Sequence, residues 1–231
     1  MKAQAHARPN AGREIRTAKA ANAAEAIGPL RHGQDVFILT FGQFSLIDAL
    51  IHVLDQTGPA DVTISTWTAA DAHLERARDL LESARIRSMR WIVDRSFEAR
   101  QPDYCYHMRR LFGLDCIRAI RTHSKFLLIC NDDWHVVCRT SMNMNENPRL
   151  ENIEVSEDAA FAAFFQRVAD DIFAEVGEGE NRSPLPILGS AQESFPFREV
   201  EAGLIPRESL NEPETTHVVS RGGEATPHET A

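Results

Sequence analysis

The chain has 231 residues, 43% of them hydrophobic, and a formal net charge of −9. That length suits one domain with a proper core and is too short for two large ones. No apolar run reaches the ~18 residues of a membrane helix, and the basic start (Lys2, Arg8, Arg13, Arg16, Lys19) lacks the apolar segment of a secretory signal, so a soluble, cytoplasmic protein with no membrane partner is expected.

The charge is unevenly spread. Residues 71–150 hold 14 basic and 11 acidic side chains, whereas residues 151–231 hold 5 basic and 17 acidic ones. The acid therefore sits in the last third, and the Arg-rich middle is compatible with phosphate contacts as well as with an ordinary solvated surface. Cys105, Cys116, Cys130 and Cys138 form no Cys-x-x-Cys pair and read as reduced side chains.

Residues 1–30 are Ala-rich and read as an arm or loose helix. An alternation of strands and helices follows. Asp35–Thr40 reads as a buried strand, Leu46–Leu54 as a helix and Val62–Ser65 as a second strand. Asp71–Ser83 reads as a helix with Thr68-x-x-Asp71 as its start signal, Met89–Val93 as a third strand, and Asp103–Phe112 as a helix stopped by Gly113. Cys116–Ile120, Ser124–Ile129 and His135–Cys138 are strand-like, and Glu157–Glu175 is an amphipathic helix. This rhythm predicts an α/β sandwich with a mixed, largely parallel sheet, interrupted by a hairpin turning through Asn131-Asp132-Asp133. The domain is expected over 31–176, with 177–231 an acidic, Pro-containing tail expected to be disordered.

The hairpin carries the chemistry. Side chains two apart on a strand share a face, so His123 and Lys125 point the same way, as do Ser141, Asn143 and Asn145. A turn centred near Asp132 sets His123 opposite Ser141 and Lys125 opposite Arg139, because facing positions then sum to about 264. A neutral imidazole attacks phosphorus. An ammonium and a carboxamide stabilise the charge that accumulates on the phosphoryl oxygens. Glu151 suits the task of holding the imidazole in one tautomer, and is equally suited to an exposed ion pair. No His/Cys/Asp cluster has convincing metal-ligand spacing, and neither a metal nor a cofactor is expected.

His123 and Lys125, followed by Ser141 and Asn143 and then Glu151-Asn152, resemble the motif of the phospholipase D superfamily over roughly residues 30–176. The stretch from Arg139 to Asn152 looks most like a small single-motif branch found in phage and mobile-element proteins, which would place it in a bacterial host cytoplasm. The resemblance implies a phospholipase D-like αβα fold and a metal-independent phosphodiesterase, a nuclease acting through a phosphohistidine. Its catalytic residues would be His123, Lys125, Ser141, Asn143 and Glu151. Only one motif copy is present, so the resemblance implies a homodimer with its site on a two-fold axis. Two departures stand out: Cys130 falls where the family has Asp, and Thr140 where it usually has Gly. The loss of the Asp motivates an alternative, an inactive module that grips a nucleic-acid backbone in phage DNA handling. Gln43 and Trp67, which follow the first two strands, together with Tyr106, Arg139 and Asn145, are the candidate substrate-binding residues.

Overall fold

The computed structural model describes residues 13–17, 22–146 and 148–178. The expected tail beyond Glu178 lies outside the described residues. Eight strands form one sheet: β1 (Glu14–Thr17), β2 (Asp35–Thr40), β3 (Ala60–Thr66), β4 (Ile86–Asp94), β5 (Ile117–Ile120), β6 (Phe126–Cys130), β7 (His135–Thr140) and β8 (Glu151–Glu157). The helices are α1 (Ala23–Ile27), α2 (Leu46–Thr57), α3 (Asp71–Glu82), α4 (Phe97–Arg100), α5 (Pro102–Phe112) and α6 (Ala159–Glu175).

The sheet order is β1-β2-β8-β7-β6-β3-β4-β5. β1 pairs parallel with β2, and β3, β4 and β5 are mutually parallel neighbours. The four pairings that involve β6 and β8 are antiparallel. Only β6 and β8 therefore run against the common direction, and the sheet is mixed with most strands pointing one way. The carboxyl ends of β2, β3, β4 and β7 gather with the starts of β6 and β8 along one edge. In an open α/β sheet that edge is where ligand crevices form.

Helices cover both faces. The larger core lies between the sheet and α1–α5, around the fully buried Trp91, Phe97, Leu50 and Leu74. The helix α2 follows the sequence closely: Ser45 and Asp48 form a reciprocal capping box, and Leu46, Ile47, Leu50, Val53 and Leu54 are buried. Each such side chain contributes ~1.5–3 kcal/mol by leaving water. On the opposite face α6 sets Ala162, Ala169 and Ile172 against Phe126, Leu128 and Val137, with small residues letting the helix approach. Asp158 caps α6 by accepting from the Ala160 and Phe161 amides.

The strands β1 and β8 and the short helix α4 are not in the sequence reading. Residues 22–30, read from sequence as part of an arm or loose helix, contain the short helix α1, whose Ala23, Ala26 and Ile27 are buried in the main core. The strand β8 was not expected; it fills the space between β2 and β7, and its buried Ile153 and Val155 explain its place. The hairpin register also shifts by one. Cys130 faces His135 and Phe126 faces Arg139, so facing positions sum to 265. Trp134 belongs to the turn: its amide and that of Asp133 both donate to the Asn131 side chain, and the Asn131 amide donates to Trp134 O. A four-residue turn replaces the three-residue one, and Lys125 lies opposite Thr140 rather than Arg139, with the Thr140 amide donating to Lys125 O at 3.1 Å.

Candidate active site

The loop between β5 and β6 carries His123 to the sheet edge, and its shape is fixed by side chains of β3, β4 and the loop itself. Asp94, at the end of β4, accepts from the Thr122 amide at 3.0 Å and from the Ser96 amide at 2.9 Å. The Ser65 hydroxyl donates to Ser124 O at 2.8 Å, and the Ser124 amide to the Thr122 hydroxyl at 3.0 Å. These bonds stop the ladder at Lys125 and leave His123 exposed to solvent.

Lys125 is the opposite case. It is buried, only 8% exposed, and its Nζ donates to His123 O at 3.2 Å and lies 3.5 Å from His123 Nδ1. Among the described residues it forms no ion pair. Burial holds its pKa below the ordinary lysine value, partly offset by the negative charge of Glu151. A buried ammonium without a carboxylate partner is costly, and it favours any anion that enters beside it.

Ser141 and Glu151 complete this edge. The Ser141 hydroxyl donates to the Glu151 carboxylate and accepts from the Asn152 amide at 3.0 Å, while the Ser141 amide donates to Asn152 O at 3.2 Å. Thr140 Oγ1 donates to Asn152 O at 2.6 Å and accepts from the Met142 amide at 2.9 Å. Thr140, one of the two departures from the resembled motif, is thus a brace for the turn. Glu151 meets the serine and makes no hydrogen bond to His123, so the tautomer-setting contact expected from sequence is absent among the described residues.

His123, Lys125, Arg139, Ser141 and Asn152 line one open cleft of about 450 Å³, with Phe165 of α6 at its side. Three of the five residues expected to be catalytic therefore converge there directly, and Glu151 is joined to it through Ser141. Asn143 lies beyond it, half-buried, with an Oδ1 that has no partner. Of the expected substrate-binding residues, Trp67 stands by His123, their ring centroids 6.0 Å apart. Arg139 lines the cleft but is paired with Glu154 and lies over the Phe161 ring. The other three lie elsewhere. The Gln43 Oε1 accepts from Thr40 Oγ1 and the Phe41 amide, bracing the β2–α2 loop beside a different cleft. Tyr106 sits on the exposed face of α5, with Arg110 over its ring. Asn145 lines a neighbouring cleft.

Arg100 was not foreseen. Its guanidinium carbon lies 3.5 Å from the Trp67 ring centroid, and Nη2 donates to Trp67 O at 2.8 Å. No motif marks it in the sequence; only the meeting of α4 with the β3–α3 loop brings it there. Asp94 was missed for the same reason.

Cys130 ends β6 and lies five residues from Lys125, which is ~16 Å along a strand. Burial pushes its thiol up to about 11. Cys130, which stands where the resembled motif has Asp, is therefore at the far end of the strand from the cleft. Asp132 and Asp133 are exposed in the turn. All four cysteines are free thiols. Among the described residues no group of three or more His, Cys, Asp or Glu is placed to hold a metal ion, and no helix is long and apolar enough to cross a membrane.

No known family model matches the chain, and no curated protein matches it. Among solved structures it is similar to Nuc, a phospholipase D family member from Salmonella typhimurium, at 12% identity and a TM-score of 0.44, over 62% of this chain and 97% of that one. It is also similar to the polyphosphate kinase of Porphyromonas gingivalis, at 14% identity and a TM-score of 0.42, over 59% of this chain and 26% of that one.

Proposed function

We propose that this chain is a metal-independent phosphodiesterase, a nuclease that works as a homodimer through a phosphohistidine intermediate. The observation that carries the reading is the meeting in one cleft of an exposed imidazole with a buried ammonium that has no ion pair among the described residues: His123 and Lys125, 3.5 Å apart. The two groups supply a nucleophile and an anion counter-charge with no further component.

The reaction divides into two displacements. In the first, His123 Nε2 attacks phosphorus, a P–N bond forms, and one P–O ester bond breaks. The departing alkoxide takes a proton from an imidazolium, which is His123 of a second copy across the shared cleft. In the second, that same imidazole removes a proton from water. The water oxygen attacks phosphorus, the P–N bond breaks, and both rings return to their starting states. One imidazole cannot serve as nucleophile and leaving-group acid in the same step, which is why a second copy enters the proposal.

Attack through Nε2 requires the proton to be on Nδ1. In that tautomer Nδ1 has no lone pair for Lys125, so the ammonium is free to turn to a phosphoryl oxygen. The Ser141 hydroxyl, held by Glu151, lines the same cleft and fixes its floor. Nucleic acid is the favoured phosphodiester, because the Trp67 ring lies 6.0 Å from His123 and Arg100 sets a second cation on that ring.

The test is cleavage of a labelled oligonucleotide in EDTA by the wild type and by His123→Ala. The expected loss is at least ~10²-fold. Equal activity in the two proteins would remove the proposal.

A further inference from the structure

A second cleft, of about 420 Å³, opens beside the first. Thr68, His73, Gln101, Tyr104 and Asn145 line it, with Glu146 exposed at its rim. The volume falls within the ~300–1,000 Å³ of small-ligand clefts. It is joined to the phosphate cleft by two short connections. Thr68 directly follows Trp67, whose ring is against His123. Asn145 follows Ser141 by four residues, at most ~14 Å of chain. The two segments are tied together: the Met144 amide donates to Thr68 O at 3.2 Å and the Ala70 amide to Met144 O at 2.8 Å.

The chemistry of this cleft differs from that of its neighbour. No lysine or arginine is among its described lining residues, and Glu146 repels an anion. What it offers instead is hydrogen bonding left unused. His73 is only 4% exposed, yet its Nδ1 has no partner. Asn145 Oδ1 is likewise buried without one. Gln101 accepts from the Thr68 hydroxyl through Oε1, which directs its amide hydrogens elsewhere. Burial, helped by the nearby Arg76, lowers the His73 pKa, so the ring is neutral at physiological pH and offers one donor and one acceptor. Buried polar groups in native proteins are ordinarily satisfied, and two without partners on residues that line a single cleft suit that cleft to a polar ligand. A ligand suited to this lining would be uncharged, flat enough to lie against Tyr104, and would carry donors and acceptors on one edge.

We infer that the cleft formed by His73, Gln101, Tyr104 and Asn145 is a nucleobase pocket, which reads the base of a nucleotide whose neighbouring phosphate lies at His123 and Lys125. This rests on the phosphate reading of the first cleft and adds a substrate class to it. The enzyme then prefers cuts next to a particular base, through hydrogen bonds to that base's edge. Stacking on Tyr104 supplies affinity without sequence information.

The experiment uses the full chain and two kinds of probe. Adenosine, guanosine, cytidine and uridine, which carry no phosphate, are titrated and followed by NMR. Oligonucleotides are then compared with and without a base at the position beside the cut. Saturable binding of at least one nucleoside is expected, weakened about tenfold by Gln101→Ala and by Tyr104→Leu. Both variants are checked for an unchanged melting temperature, and whichever melts normally is the informative one. If both melt early, competition between the bound nucleoside and oligonucleotide cleavage in the wild type decides, because a base pocket predicts inhibition. A cut preference lost on removing the base assigns the pocket to a strand. Preference retained after the base is removed would overturn base reading at the cut, even if a nucleoside binds. Cleavage that depends on His123 but shows no nucleoside binding would overturn the pocket alone. Nucleoside binding without any cleavage would instead sink the proposed reaction and leave the pocket.

Discussion

Lys125 concentrates the energetic tension of this site in one side chain. Its ammonium is buried with no carboxylate partner among the described residues, and its pKa is depressed by that burial. Between the depressed folded value and the ordinary 10.5, the unfolded chain binds more protons than the folded one. Stability attributable to this residue therefore rises with pH through that window, and the penalty is full below it. Lys125→Met should raise stability by ~1 kcal/mol at neutral pH, with the gain shrinking as the pH approaches 10. Thermal melts of both proteins across that range would check it; a destabilised variant at pH 7 would contradict the account. The same substitution should cut turnover by ~10²-fold or more, since a phosphoryl charge loses its counter-ion. Lys125→Arg should not restore it, because a planar guanidinium does not fit where a compact ammonium is buried.

At the level of elements, the hairpin is held by Asn131. Its side-chain oxygen accepts two turn amides, and its side-chain nitrogen donates to Thr57 O at 2.8 Å, tying the turn to the end of α2. Asn131→Ala should cost ~2 kcal/mol of stability, read from denaturant midpoints. A change within ~0.5 kcal/mol would mean that the turn is set by strand pairing alone. This turn also marks what was legible beforehand. Asp35–Thr40 and Asp71–Glu82 are clear in the sequence because their apolar spacing matches one secondary-structure period. The hairpin was clear too, but its register was misplaced by one, because nothing local says whether Trp134 opens a strand or closes a turn. The strand β8 was missed because Glu151, Asn152, Glu154, Ser156 and Glu157 give it a polar look, although its Ile153 and Val155 reach the core. The spacing of His123, Lys125 and Ser141 marked them as neighbours, and they line one cleft. Arg100 and Asp94 were not, because their role comes from the crossing of distant segments. Gln43 and Tyr106 do not line the His123 cleft, because proximity to a strand end or a basic cluster does not fix which way a side chain turns.

For the whole molecule, the proposal requires two chains per site. Wild type mixed with an equal amount of His123→Ala and allowed to exchange should keep about a quarter of the activity of the same total of wild type, because only pure wild-type dimers hold two imidazoles. About half would remain if each chain works alone. The central claim is that His123 Nε2 becomes covalently joined to phosphorus, and it is tested most directly by trapping. An oligonucleotide labelled at the phosphate it donates is mixed with enzyme in EDTA, quenched with alkaline denaturant, digested and analysed by mass spectrometry. The account predicts label on the peptide containing His123, lost on brief acid treatment and absent in His123→Ala. Cleavage that proceeds equally in His123→Ala, with no label on protein, would contradict it.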